Sequence, residues 1–188
     1  MLTKYATLFA VLAVIGWFAA RPDPAEASQN VQTPEPRSPV LIELFTSEGC
    51  SSCRPADRLL ETFDGTQPVT GADLIVLSAH VDYWNRLGWI DPYSLPLFSE
   101  RQQEYVRRLH LDGAYTPQLV IDGRADFVGS DERAVRAGIL RAEARPKTAI
   151  TLRAERTGPD AKVLLQVGDS IRQADLYLVL ANDPARHR

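Results

Sequence analysis

Two cysteines, Cys50 and Cys53, are the residues whose type and spacing most clearly suggest chemistry. Two residues separate them, so the second thiol can attack a mixed disulfide formed by the first, as in thiol–disulfide exchange. The pair follows a predicted buried strand and lies at or just before a predicted helix. A helix N-terminus and the neighbouring cation of Arg54 favour a thiolate on Cys50. A CxxC motif between a strand and a helix therefore predicts a redox site.

Pro55 leaves two starting points open for that helix. A helix that begins at Ser51 places Pro55 in its first turns, at the cost of a hydrogen bond or a kink. A helix that begins at Pro55 places the proline favourably, but it leaves Cys50 farther from the helix dipole. The sequence is compatible with both.

The first 27 residues predict an export signal. Lys4 precedes an uncharged, mainly apolar run over residues 6–20, and residues 25–27 (Ala-Glu-Ala) form a small-x-small cleavage site. A membrane-spanning helix needs about 20 apolar residues, so we expect cleavage before Ser28 and membrane attachment only if the segment is uncleaved. Either way, the folded part is expected in the periplasm or secreted, where disulfides persist.

The composition fits one globular domain. The chain has 188 residues, of which 45% are hydrophobic and 24% charged, with a net charge of −3. This is enough chain to bury a core and too apolar for a disordered protein. Acidic and basic residues are interspersed, so we expect no basic face for nucleic acid.

The predicted elements alternate as strand, helix, strand, helix, hairpin and helix. Apolar runs, helical spacing, an Asp-Gly turn and a helix cap place them as follows: strands at residues 40–45, 73–80, 118–121 and 125–128, and helices at residues 54–63, 98–109 and from Ser130 or Asp131 to about residue 144. Two strand–helix units give a parallel pair, and the hairpin adds antiparallel strands. We therefore expect an α/β fold with one mixed sheet and helices on both faces.

The flanking segments differ in character. Residues 28–38 are polar and proline-bearing, which predicts a linker before a main domain at residues 39–146. Residues 147–188 predict a small C-terminal antiparallel β segment whose apolar face needs a partner. Its three strands are placed at residues 148–154, 163–167 and 175–181. Because the chain stops soon after the third strand, we expect this sheet to be incomplete.

Thr116 and Pro117 directly precede the third strand of the main domain. The frequency of cis X-Pro bonds favours a trans proline at a strand's first residue. Their position, however, together with CxxC at the first strand–helix junction, resembles the thioredoxin superfamily from residue 39 to about residue 144. The resemblance implies a thioredoxin-like mixed sheet flanked by helices and a cis proline that faces the cysteines. It also implies that Cys50 attacks, that Cys53 resolves, and that Thr116 and Pro117 bind an extended substrate.

Residues 116–131 (TPQLVIDGRADFVGSD) resemble glutaredoxins within that superfamily. Gly129, Ser130 and Asp131 match the step that opens the last helix there and binds the carboxylate of glutathione, and a helix N-terminus suits such a group. The alternative, which we favour, is a turn at Gly129 and a helix cap at Ser130. The expected partners are therefore protein thiols and disulfides, or glutathione.

At closer range, FTSEGCSSC, HVDYWNRLGWIDP and YTPQLVIDGRADFVGSD resemble a family of bacterial exported proteins. That family is catalogued as a thioredoxin-like domain of unknown function. The resemblance is long and specific, so it bears on the fold, and it brings little biochemistry.

His80 and Asp82 follow the second strand, at the sheet edge that carries the cysteines. Either side chain could accept a proton from Cys53. The alternative, which we favour, is that both brace the following aromatic loop by hydrogen bonds. Trp84, Trp89 and Tyr93 of this loop are expected to pack in the core or at its rim rather than to form a ligand cage.

Three other uses of the cysteines remain open. Cys50, Cys53 and His80 could hold copper or zinc, but no fourth ligand has recognisable spacing, so we expect no resident metal. A structural disulfide is less favoured because so short a loop adds little stability. A non-enzymatic binding module would instead use the aromatic loop to hold a partner. We favour an exported thiol–disulfide oxidoreductase whose redox-active disulfide needs no other cofactor.

Overall fold

The structure, a computed structural model, describes residues 37–168 and 175–181. The predicted export signal and its cleavage site lie outside these residues, as does the predicted linker up to residue 36. No helix within the described ranges is long and apolar enough to cross a membrane.

The helices and strands follow the predicted order. They are β1 (Ser38–Thr46), α1 (Arg54–Thr66), β2 (Ala72–His80), a short 3-10 helix (Asn85–Leu87), α2 (Pro96–Arg108), β3 (Gln118–Ile121), β4 (Ala125–Val128), α3 (Glu132–Glu143), β5 (Ile150–Thr157) and β6 (Asp160–Val167). The hairpin strands β3 and β4 occupy the predicted residues, and the other boundaries differ by a few residues. Because β1 begins at Ser38, the last residue assigned to the linker belongs to the sheet.

The main sheet has four strands in the order β2-β1-β3-β4. β1 is parallel to β2 and antiparallel to β3, and β3 is antiparallel to β4, which confirms the predicted mixed sheet. The register pairs Thr46 with His80 and Phe45 with Gln118. The ends of β1 and β2 and the start of β3 therefore meet at one edge of the sheet, and this edge carries the candidate site.

Helices cover both faces of the sheet, as predicted. Successive side chains of a strand point to opposite faces. Val40, Ile42 and Leu44 of β1 share a buried cluster with side chains of α1 and α3. Phe45 and Val120 belong to a second cluster on the α2 side. The strands that lead into the site are therefore fixed from both sides by apolar packing.

The close approach of α3 to the sheet depends on Gly138. A Cβ atom at this position would lie 2.6 Å from Phe127 Cζ and 2.8 Å from Ile121 Cδ1. We expect Gly138→Ala to lower the free energy of unfolding by about 1–3 kcal/mol because the core is overpacked. Gly65→Ala in α1 is the matched control, since its Cβ meets no atom within 4 Å. It should leave stability unchanged or raise it by up to about 1 kcal/mol. Urea unfolding measures both, and equal effects would contradict this account.

β5 and β6 form the predicted small antiparallel segment. Their register runs from the pair Ile150 and Val167 to the pair Thr157 and Asp160. The turn between the strands contains Gly158 with a φ of 64°, a left-handed conformation that glycine adopts without a steric penalty.

The predicted third strand of this segment is wrong. Residues 175–181 form neither a helix nor a strand. Their apolar side chains are exposed, and Leu180 is 92% exposed. An apolar run becomes a strand only where a neighbouring edge offers backbone partners, and the pattern of side chains does not supply that edge.

Candidate functional site

Cys50 and Cys53 form a disulfide in the turn between β1 and α1. Both residues are buried: Cys50 is 2% exposed and Cys53 is fully covered. The two serines between them are exposed. The small exposed part of the pair therefore belongs to Cys50, which makes it the sulfur that a thiol from solvent would reach.

α1 begins at Arg54, between the two starts that the sequence allowed. Cys53 is the N-cap residue, and its carbonyl accepts hydrogen bonds from the backbone N–H groups of Ala56 at 2.8 Å and Asp57 at 3.0 Å. Pro55 lies in the first turn, where its missing N–H costs no helical hydrogen bond. Cys50 precedes this turn, so it lies outside the helix whose N-terminus was expected to favour its thiolate.

Thr116 and Pro117 lie beside the disulfide. Their peptide bond is cis, in agreement with the family resemblance and against the general frequency of X-Pro bonds. Thr116 Oγ1 donates a hydrogen bond to Cys50 Sγ at 3.3 Å. The fold thus brings the first cysteine and the start of β3 together, although 66 positions separate Thr116 from Cys50.

Gly129 lies against the same region. A Cβ atom there would be 2.8 Å from Leu44 Cδ1, 3.0 Å from Ala56 Cβ and 3.3 Å from Pro117 Cβ. Its backbone N–H also donates to the Pro117 carbonyl at 2.9 Å. Only glycine fits this close approach without displacing the start of α1 or the cis proline.

Asp131, and not Ser130, caps α3. The Asp131 carboxylate accepts a hydrogen bond from the Ala134 backbone N–H at 3.0 Å, and Ser130 is exposed. The favoured prediction that Ser130 caps this helix is therefore wrong. Because the Asp131 carboxylate already accepts the Ala134 N–H, a glutathione carboxylate would have to bind other N–H groups at the start of α3.

His80 and Asp91 tie the aromatic loop to the chain just before the disulfide. His80 Nδ1 lies 2.7 Å from Asp91 Oδ2. The buried Asp91 carboxylate also accepts the backbone N–H of Glu48 at 2.8 Å and that of Tyr93 at 2.9 Å. Burial alone would raise the pKa of Asp91, but these hydrogen bonds outweigh it and hold the pKa below its usual value. Asp91 was not among the predicted site residues.

Asp82 braces the start of α2. Its backbone N–H donates to Ser99 Oγ at 3.1 Å, and the Ser99 hydroxyl donates back to the Asp82 carboxylate. The bond between His80 and Asp91 lies in the aromatic loop, as the favoured bracing role for His80 implies, whereas the Asp82 bonds go to α2. The role of either residue in proton transfer stays a prediction.

Asp57 is a carboxylate near the site that sequence reasoning missed. It follows Cys53 by four residues in α1, so the two side chains share a face of the helix. The Thr46 hydroxyl donates to Asp57 Oδ1 at 2.7 Å. Burial raises the pKa of Asp57, and this hydrogen bond offsets the effect only in part. The four-residue spacing from Cys53 was the signal that could have identified it.

Trp84 connects the aromatic loop to Thr116. Its indole Nε1 donates to Thr116 Oγ1 at 2.9 Å, and its Cβ lies 3.4 Å from the position of a Cβ on Gly49. Trp84 is half-buried, in agreement with rim packing, whereas Trp89 and Tyr93 are 60% and 64% exposed. These two aromatics are not in the core, and they lie at the surface, where Trp89 contacts Glu48 and Tyr93 contacts His80.

A buried pair of amide side chains, Gln102 and Gln118, lies next to the Thr116–Pro117 peptide bond and supports it by hydrogen bonds. The Tyr83 hydroxyl donates to Gln102 Oε1 at 3.2 Å. Gln102 Nε2 donates to the Tyr115 carbonyl at 2.7 Å and to Gln118 Oε1 at 2.9 Å. Gln102 and Gln118 are fully buried. The network therefore links α2 to the residues on both sides of the cis peptide bond.

The described ranges contain no group of three or more His, Cys, Asp or Glu side chains arranged to hold a metal ion.

Fold and site together define a mixed α/β protein with a buried CxxC disulfide beside a cis proline. Residues 41–187 match the family described as a protein of unknown function, DUF1223, and the chain belongs to that family. A crystal structure of an Agrobacterium tumefaciens protein, solved by a structural genomics consortium, is similar to this chain with 34% sequence identity and a TM-score of 0.58. The similarity covers 69% of this chain and 56% of that one, so this chain spans little more than half of the solved protein's length. No curated protein matches the chain.

Proposed function

We propose that this protein is a thioredoxin-like thiol–disulfide oxidoreductase that acts outside the cytoplasm. The observation that carries the proposal is the Cys50–Cys53 disulfide, with the Thr116 hydroxyl on Cys50 Sγ and the cis Pro117 next to it. The order of strands and helices around the motif supports the thioredoxin-like assignment. Export, predicted from residues 1–27, would place the pair where a disulfide persists.

The exchange needs two sulfur displacements. A substrate thiolate attacks Cys50 Sγ and breaks its bond to Cys53 Sγ, which leaves as a thiolate and takes up a proton. A second substrate thiolate then attacks the substrate sulfur of the mixed disulfide and releases Cys50 as a thiolate. Two electrons pass from the substrate dithiol to the CxxC pair, and the reverse sequence reduces a substrate disulfide. No further cofactor is required in either direction.

Cys53 must gain or lose a proton in both directions. We propose Asp57 as the group that exchanges it, because Asp57 lies one helical turn after Cys53 and burial raises its pKa. His80 and Asp82, the predicted candidates, use their side chains to bind Asp91 and Ser99. They remain alternatives, and substitution of either residue tests its role through the rate at which substrate is released from the Cys50 mixed disulfide.

Trapping of a mixed disulfide tests the proposal directly. A Cys53→Ser variant lacks the resolving thiol, so it should accumulate a mixed disulfide through Cys50 when treated with an activated disulfide of glutathione or of a cysteine-containing peptide. Cys50→Ser is the matched control and should trap far less, because Cys53 is fully covered. Mass spectrometry identifies the adduct and the sulfur that carries it.

The two reagents also separate the two candidate partners. Faster trapping with glutathione would favour a groove formed with Gly129, Ser130 and Asp131, whereas faster trapping with the peptide would favour protein substrates. Trapping with neither reagent would contradict the oxidoreductase proposal and favour a binding module. Stoichiometric copper or zinc in the reduced protein, lost in His80→Ala, would instead favour metal handling.

A further inference from the structure

We propose that Trp84 is a positioning residue for Cys50: its indole N–H holds the Thr116 hydroxyl so that the hydroxyl proton points to Cys50 Sγ. This inference rests on the proposed thiol–disulfide exchange and adds a residue to it. Trp84 does not touch the sulfur, and it acts through Thr116.

The hydrogen-bonding capacity of the three groups defines this arrangement. An indole N–H can only donate, whereas a threonine hydroxyl has one proton and two acceptor lone pairs. The Trp84 N–H occupies a lone pair of Thr116 Oγ1 at 2.9 Å. The hydroxyl proton is then available for Cys50 Sγ at 3.3 Å. The indole therefore sets the direction in which Thr116 donates.

Tyr83 offers a second acceptor for the same proton. Its own proton goes to Gln102 Oε1 at 3.2 Å. Burial raises the pKa of Tyr83, and an interaction with Thr116 offsets part of that rise. A disulfide sulfur is a weak acceptor, but a Cys50 thiolate carries a full charge, and hydrogen bonds to charged groups are about twice as strong as neutral ones. Reduction of the disulfide thus favours the bond from Thr116 to Cys50.

The position of α1 makes this bond important for the reduced protein. Because α1 begins at Arg54, Cys50 lies before its first turn and gains less from the helix dipole, an effect that falls off within one turn. The hydroxyl groups near Cys50 Sγ are those of Thr116 and, at 3.6 Å, Ser52. Ser52 is exposed, whereas Thr116 is half-buried and held by Trp84. Thr116 is therefore the better-ordered donor to a thiolate.

Ionisable groups surround this arrangement on several elements. Those nearest along the chain or bonded into the site are Glu48 before Cys50, Arg54 and Asp57 of α1, His80, Asp82, Tyr83 and Asp91 of β2 and the following loop, and Tyr115 before Thr116. The substitutions that test the proposal leave all of them in place. A change in thiol ionisation can then be assigned to the lost N–H or hydroxyl group.

The test measures alkylation of Cys50 by iodoacetamide against pH in the reduced Cys53→Ser protein. Thr116→Val removes the hydroxyl at similar volume. At pH values below the midpoint of the Cys50 titration, it should lower the fraction of Cys50 present as thiolate by about tenfold, the equivalent of one charge-assisted hydrogen bond. Trp84→Phe, which removes the N–H and keeps an aromatic ring, should lower it by about threefold or more. Thr116→Ser should restore the profile of the parent.

A double variant separates action through Thr116 from a general structural effect. If Trp84 acts through the hydroxyl, Trp84→Phe should add nothing in the Thr116→Val background. Trp89→Phe is the matched control, since its indole N–H donates to Glu48 at 3.2 Å rather than to Thr116. It should leave the alkylation profile unchanged.

Two results would overturn the proposal: an unchanged profile in Trp84→Phe, or additive effects of the two substitutions. Urea unfolding of each variant identifies any that fail to fold, and Thr116→Ala, which also lacks the hydroxyl, replaces Thr116→Val if that variant does not fold. Alkylation needs no exchange partner. A protein that shows the predicted shifts but traps no mixed disulfide would therefore contradict the proposed function and leave the role of Trp84 intact.

Discussion

Asp57→Asn is expected to slow release of substrate from the Cys50 mixed disulfide by about 10²–10⁴-fold at pH 7, the loss associated with a missing general base. In the resolving step the Cys53 thiol must lose its proton before it attacks, and Asp57 lies one helical turn away. Above about pH 8.5 a free thiol ionises without help. The defect should therefore shrink as the pH rises through this range, which stopped-flow measurements of release can follow.

The same substitution should make the folded protein more stable at pH 7. Burial raises the pKa of Asp57 above its ordinary value of 3.8, so the folded state binds the proton more tightly than the unfolded state does. Stability then decreases as the pH rises from 3.8 through the folded pKa, and the cost is complete above the folded pKa. An asparagine carries no charge and escapes this cost, while its side-chain oxygen can still accept from Thr46.

Urea unfolding at pH 7 and pH 3 measures this effect. The stability gain should be present at pH 7 and small at pH 3, where the carboxyl is protonated in both states. Asp64→Asn is the matched control because Asp64 is exposed on the same helix, and it should change stability by less than about 0.5 kcal/mol. Slow release without the stability gain would mean that Asp57 supports the site by packing. A stability gain without slow release would move the proton-transfer role to His80 or Asp82.

The sequence allowed the fold to be predicted where the signals were local. The hairpin between β3 and β4 is the clearest case, since its turn contains Asp122 and Gly123 with φ values of 49° and 62°. These left-handed conformations suit Asp and Gly, so the dipeptide itself located the turn. The Asp122 carboxylate also accepts the Leu41 backbone N–H at 3.0 Å, which fixes the turn to the first half of β1.

The candidate site was predictable only in part because its contacts join distant loops. Cys50, Thr116 and Pro117 were identified because each belongs to a short motif that neighbouring residues in the sequence define. The bond from Trp84 to Thr116 spans 32 positions, and that from Glu48 to Asp91 spans 43. Both Trp84 and Asp91 lie in an aperiodic aromatic loop, where nothing in the local pattern states which backbone or hydroxyl a side chain will reach.

The third C-terminal strand shows the opposite error. Residues 175–181 have the apolar pattern of a strand, but they remain exposed and without regular structure. Apolar side chains stabilise a strand only after backbone partners and a face to cover are available.

Asp57 was missed for a different reason. An acidic residue in the first turns of a helix ordinarily indicates a favourable interaction with the helix dipole rather than a role near a thiol.

Asp91→Ala is expected to lower the free energy of unfolding by about 2–5 kcal/mol at pH 7. The buried carboxylate accepts the backbone N–H groups of Glu48 and Tyr93 and pairs with His80. Its removal leaves these part-buried groups without their partner, and an unsatisfied donor costs up to about 1–3 kcal/mol when it is shielded from water. Asp91→Asn should cost less, because its side-chain oxygen keeps an acceptor for at least one N–H.

The contribution of Asp91 should depend on pH in the opposite sense to that of Asp57. Its pKa is held below the ordinary value of 3.8, because the hydrogen bonds to the carboxylate outweigh burial. The stability it supplies is fully present above 3.8 and is lost as the pH falls through the folded pKa. The difference between the wild-type protein and Asp91→Asn should therefore be largest at neutral pH and should narrow on acidification below about pH 4.

The loss should also reach the cysteine motif, because the bond to Glu48 holds the chain two residues before Cys50. We expect faster hydrogen exchange at the Glu48 and Tyr93 amides in Asp91→Asn. We also expect alkylation of Cys50 to depart from a single exponential, because a loosened segment places the thiol in more than one environment. Asp112→Asn, an exposed substitution of the same kind, should leave both measurements unchanged. Faster exchange confined to Tyr93 would show that the segment before Cys50 is held by other contacts. Asp91 would then stabilise only the aromatic loop, and the bonds from Trp84 to Thr116 and from Trp89 to Glu48 would connect that loop to the site.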